Sequence, residues 1–176
     1  GLVGSEMCIR DRVVAMGVLG VLLGDDDTGI LIKKLVRESQ KAVSISIGSS
    51  WMSRGPSYFV IDATPSAGVS IDELESEIQH EIKNVLRARL PEKYLNMVKR
   101  RAKADQIYQK DSLMSQVREA SLFVTNQRNL TDSKNWLKVL ESITFEDVVK
   151  AGKVIFDEQK STVLLFYPEK LKNNKL

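Results

Sequence analysis

Cysteine and histidine are almost missing from this chain, with one of each in 176 residues. A single Cys excludes an internal disulfide framework. The single His, His80, excludes a zinc site built from two histidines of this chain, and any paired-histidine acid/base machinery. If the protein is an enzyme, this part of it is not expected to hold the reactive centre. Aromatics are sparse at 6%, and neither sign of charge dominates: 26 Lys+Arg against 23 Asp+Glu leave +3. Acidic and basic residues are interspersed, so charge makes no case for nucleic acid. Val13–Gly24 is apolar throughout but too short to span a bilayer, and Gly17, Gly20 and Gly24 interrupt it. It reads as a buried helix packed closely at its glycines, not as a signal or membrane segment. What is present, 43% hydrophobic and 28% charged residues, is the balance of one globular domain. Such a domain, when complete, buries about 70% of its unfolded surface.

Residues 1–12 begin without Met and run without periodicity into that apolar segment. They read as a non-native lead on a fragment, with Cys8 inside it. The expected domain is therefore 13–168, followed by a polar tail at 169–176. Asp25-Asp-Asp-Thr-Gly29 makes a polar turn, and apolar positions 31, 32, 35 and 36 then form a helical stripe with Thr28 as its N-cap. Val43, Ile45 and Ile47 alternate with serines, which predicts a strand with one buried face. Trp51–Pro56 reads as a connector and Tyr58–Ala63 as the antiparallel partner strand.

Ser70 stands three residues before Glu73, a capping box stapled by Val69 and Leu74. Ile71, Leu74, Ile78, Ile82 and Val85 follow at helical spacing, which turns Glu75, Glu77, Glu81 and Lys83 to water. Pro91 suits a first helical position. Tyr94 to Tyr108 predicts a further helix, its apolar stripe ending in Ile107 and Tyr108, that runs past Asp111-Ser112 into Leu113–Val124. Thr131 or Asp132 can cap a short helix bearing Trp136, Leu137 and Leu140. Thr144 and Asp147 repeat the capping box ahead of a helix to Phe156, and Ser161–Tyr167 reads as a last strand. This order gives an α+β fold, a mainly antiparallel sheet with helices packed on one side. Three strands are few for so many amphipathic helices, so the sheet is expected to be incomplete at its N-terminus or completed by a partner.

Few motifs carry chemistry. The three aspartates lack the ligand spacing, glycine and closing Glu of a calcium loop, and capping or solvation explains them. His80-Glu81-Ile82-Lys83-Asn84 begins like a His-Glu-x-x-His zinc helix, but Asn84 occupies the second histidine position. Lys99, Arg100, Arg101 and Lys103 form a basic cluster with no interleaved aromatics, which reads as a solvated face.

A set of segments is more informative in order than any one alone. They are Leu19–Asp25 with Leu31–Glu38, Lys41–Ser46, Ser70–Glu75, Ala104–Ser112, Ile143–Val148 and Val163–Pro168. Together they resemble the C-terminal half of the pitrilysin/insulinase zinc peptidases, the M16 group, in its bacterial branch. The resemblance implies a LuxS/metallohydrolase-like domain, one of two related α/β domains that enclose a chamber. The zinc-binding His-x-x-Glu-His and its distal Glu would belong to the N-terminal domain, so this chain is expected to hold no metal, no cofactor and no catalytic residue. Many members carry an Arg followed seven residues later by a Tyr, which orient substrate. At the matching positions this chain has Val36 and Val43. Arg37, one place away, is a weak substrate-binding candidate; the alternative is a surface arginine pairing with Glu38 or an Asp.

The resemblance thus implies the C-terminal domain of an M16-like zinc metallopeptidase, shaping a substrate chamber and inactive by itself. The alternative is a non-catalytic scaffold or partner subunit of a two-subunit peptidase or larger complex. A third reading, an unrelated ligand-binding domain, requires a closed sheet and an enclosed apolar pocket. Expected partners are an N-terminal M16 domain, in the same chain or a partner subunit, and a peptide substrate, with no nucleic acid and no membrane insertion. The periplasm or cell envelope is the implied location.

Overall fold

The structure is a computed structural model and describes residues 3–49, 58–88, 91–127 and 129–167. The chain runs through α1 (Val3–Gly24), a π-helix (Ile32–Glu38), β1 (Ala42–Ser49), β2 (Phe59–Pro65), α2 (Ile71–Arg87) and α3 (Glu92–Lys110). It continues through α4 (Leu113–Thr125), α5 (Leu130–Ser142), α6 (Phe145–Ile155) and a short 3-10 turn at Glu158–Lys160. The class is α+β, as the sequence order predicts.

The core is built around α1. Ala15, Val18, Leu19, Leu22 and Leu23 are buried, and their spacing puts them on one helical stripe. That stripe packs against α6, β1, α5 and α3. Gly24 lets the helix backbone approach the sheet, since a Cβ there would fall 2.6 Å from Ile47 Cγ1. The helical backbone also continues through residues 3–12, beyond the segment whose periodicity predicted it.

β1 and β2 pair antiparallel, with Ile45 opposite Ala63 and Ile47 opposite Ile61. The register slips between Ala42 and Ser44. Such an extra residue resets which face a side chain takes, so Ala42 and Ile45 are buried while Val43, expected inside, is 63% exposed. Phe59 meets Phe156 edge to face at 5.4 Å, tying β2 to the end of α6. Gly68, with φ of +87°, supplies the left-handed turn that ends the hairpin.

The helix starts are those that local chemistry dictates. Ser70 Oγ accepts from the Glu73 N–H at 3.1 Å. The Glu73 carboxylate pairs with Lys41 at 3.1 Å, and Lys41 also reaches Glu77 at 2.6 Å. Thr144 and Asp147 form the full reciprocal box, and Ile143 and Val148 beside them are buried. Other expectations are corrected. Helix α3 stops at Lys110, because Ser112 adopts an extended backbone and caps α4 by accepting from the Ser115 N–H. Pro91 lies just before α3, and Ile107 and Tyr108 face outward. Thr28 caps nothing: its hydroxyl donates to Asp25 instead. Trp51–Pro56 and the side chains of Thr131 and Asp132 lie outside the described residues.

Ser161–Tyr167 is not a paired strand. It runs on without helix or ladder, and Val163, Leu164, Leu165, Phe166 and Tyr167 are all exposed. Its contact with α2 is Tyr167 Oη donating to Asp72 at 3.3 Å. A strand pattern needs a neighbouring edge to become a strand, and the described sheet has two members, β1 and β2. It is not a closed sheet.

Candidate functional site

The aspartate turn is held as a unit. Asp25 Oδ1 accepts the N–H groups of Asp27 and Thr28, at 3.1 and 3.0 Å, and the Thr28 hydroxyl at 3.0 Å. Its other oxygen pairs with Arg101 from α3. Burial pushes the Asp25 carboxyl upward, but the Thr28 and Asp27 hydrogen bonds and the Arg101 charge outweigh it and hold it below the usual value. Arg37 is exposed on the last turn of the π-helix and donates to the backbone carbonyls of Asp27, at 3.1 Å, and Asp26. The guanidinium therefore clasps the turn. Val36 packs against the core and Val43 faces out.

The basic cluster is largely engaged inside the molecule. Lys99 donates to the carbonyls of Glu141 and Ile143, at 2.8 and 2.6 Å, and closes the end of α5. Arg101 holds Asp25, and Lys103 pairs with Glu141 at 3.3 Å.

The described residues form two concavities. One is an open apolar groove of about 560 Å³ along α1, floored by Gly17 and walled by Val14, Val18, Ile47, Trp136 and Leu140. It is open, not the enclosed pocket that an unrelated ligand-binding domain would need. The other is a smaller cleft of about 190 Å³ between the π-helix, α2 and α3. It holds the buried residue Glu81, whose Oε2 accepts from Lys34 Nζ at 2.5 Å. Glu81 was expected in water and is not. It lies seven residues after Leu74 and four before Val85, both buried, so its spacing already placed it on the apolar stripe.

A metal does not fit these residues. The chain has one His, and among the described residues no group of three or more His, Cys, Asp or Glu could hold an ion. Among them, too, no helix is long and apolar enough to cross a membrane.

Against known proteins, the decisive match is to a family model described as the Peptidase M16 inactive domain, over residues 9–102. The chain belongs to the M16 peptidase family. The match runs from α1 through the hairpin and α2 into α3, which takes in the smaller cleft and all of the groove's lining except Trp136 and Leu140 of α5. No curated protein sequence matches this M16 domain. Among solved structures it is similar to a protease from Helicobacter pylori, with a TM-score of 0.75 at 17% identity over 81% of the chain. That likeness concerns the fold. The M16 domain spans 34% of that protein's length, about a third.

Proposed function

We propose that this chain is the non-catalytic, C-terminal domain of a zinc metallopeptidase, with residues 13–168 as its working part. In this reading the domain forms one wall of a substrate chamber and packs on a zinc-bearing M16 domain, in the same chain or a partner subunit. The observation that carries it is the inactive-domain match across residues 9–102. The chemistry present agrees: one histidine is too few for a zinc-binding His-x-x-Glu-His. Zinc is thus assigned to the partner domain, where it would polarise the scissile carbonyl and activate water. The chain's own part is to bind and orient an extended peptide, for which an outer edge of the described pair β1–β2 supplies main-chain donors and acceptors. Arg37 stays a weak candidate for substrate contact, since its guanidinium already serves the aspartate turn.

A second reading, a scaffold or partner subunit with no part in hydrolysis, is favoured by Val36 and Val43 at the positions where many relatives carry the Arg and Tyr that assist substrate. One experiment separates them. The purified chain is assayed on a fluorogenic peptide mixture with added zinc, alone and with a separately produced zinc-bearing M16 domain. No turnover alone, and association with turnover in the mixture, supports the peptidase reading. Association without any gain in turnover supports the scaffold. Zinc-dependent hydrolysis by the chain alone, or no association, would sink both.

A further inference from the structure

The cleft between the π-helix, α2 and α3 has a lining that a role as chamber wall leaves unused. Its volume of about 190 Å³ is room for roughly six waters. Lys34 and Glu81 meet in it as an ion pair with unequal sides: the carboxylate is 11% exposed and the lysine side chain 43%. An ammonium carries three donors. Glu81 takes one, and no other described residue takes the remaining two. Asn84, three residues beyond Glu81 on α2, also lines the cleft, and its carboxamide has no hydrogen-bond partner among the described residues. Ile30, Val85 and Ala88 supply an apolar wall. At the rim, Lys33 and Glu38 pair at 3.7 Å with both side chains exposed.

Only Glu81 of the pair is buried, on a stripe of α2 that it shares with Leu74, Ile82 and Val85. Lys34 stays open to the cleft, so its remaining donors can reach a ligand. The π-helix brings Lys33, Lys34 and Glu38 to one cleft, and π-turns occur frequently at functional sites. The four charges of the lining cancel, so neither a phosphate nor a metal cation is matched. A molecule carrying both signs close together, with a short apolar tail, is.

We propose that this cleft binds a medium-sized apolar α-amino acid as its zwitterion. The α-carboxylate takes the free donors of Lys34 and the Asn84 amide, the α-ammonium faces Glu81, and the side chain lies on Ile30, Val85 and Ala88. The site is independent of peptide hydrolysis.

The test titrates the full isotope-labelled chain with L-leucine, following amide shifts by NMR. Saturable shifts confined to residues 28–38, 81–88 and 92–94 are expected. Leucinol, which lacks the carboxylate, and 4-methylpentanoate, which lacks the ammonium, should each bind about tenfold more weakly, the loss of one charge-assisted contact. Asn84→Leu fills the cleft while keeping the Lys34–Glu81 pair, and should abolish the shifts. The double variant Lys34→Gln/Glu81→Gln leaves no charge unpaired and removes both charge-assisted contacts, so it should weaken leucine about a hundredfold. Absence of saturable shifts, equal binding of leucine and leucinol, or leucine binding unchanged in either variant overturns the proposal.

Discussion

Gly24 and Gly17 lie two turns apart on α1 and meet different surroundings. A Cβ at Gly24 would fall 2.6 Å from Ile47 Cγ1, whereas at Gly17 nothing lies within 4 Å. Gly24→Ala should therefore destabilise by about 1–3 kcal/mol through overpacking. Gly17→Ala should stabilise by up to about 1 kcal/mol, because it removes glycine's entropy cost in a helix. Urea denaturation followed by circular dichroism checks both, and the opposite order would contradict the packing of α1 on β1. Asp147 gives a second prediction at this scale. The Thr144 hydroxyl and then its N–H hold the carboxyl below its ordinary 3.8, against a burial effect and with help from Lys150. A carboxyl depressed in the folded state contributes stability above its unfolded pKa and loses it as pH falls through the lower folded value. Thr144→Ala should move the Asp147 titration midpoint upward and remove that part of the acid dependence, read by carboxyl NMR. An unmoved midpoint would mean the capping box is not the cause.

Ser112 shows how one residue sets an element boundary. It caps α4 through the Ser115 N–H, and Ser112→Ala should cost about 1 kcal/mol, measured by urea titration; no loss would mean that another group ends α3. Elements with local causes were legible in the sequence. The stripe Leu74, Ile82 and Val85, the cap at Ser70 and the Thr144–Asp147 box all depend on residues within a few positions of each other. Features made by distant partners were not. Glu81 pairs with Lys34 across 47 residues of sequence, Thr28 gives its hydroxyl to Asp25 rather than to a helix, and the slip after Ala42 turns Val43 outward. The π-helix has no signal in an apolar stripe that would serve an α-helix as well. Ser161–Tyr167 has the right pattern for a strand, yet pattern alone creates no neighbouring edge. Of the candidate residues, Arg37 was found by resemblance, while the Lys34–Asn84 cleft needed three elements brought together.

At the scale of the whole molecule, the burial pattern follows one plan: α1 at the centre, a hairpin on one side of it and later helices closing the rest. The element that touches α1 most is α6, where Gly152 sits so close that a Cβ there would approach Leu19 Cδ2 to 3.2 Å. The innermost helix is thus covered by the last of the described α-helices. A chain truncated after Ser142 should bind a hydrophobic dye and be cut by protease within α1, where the full chain resists; equal resistance would mean that α6 is dispensable. During synthesis the same arrangement sets a waiting time. At the usual pace of translation, the part of α1 that α6 covers waits on the order of ten seconds for it, while β1, α3 and α5 arrive first and shield the rest.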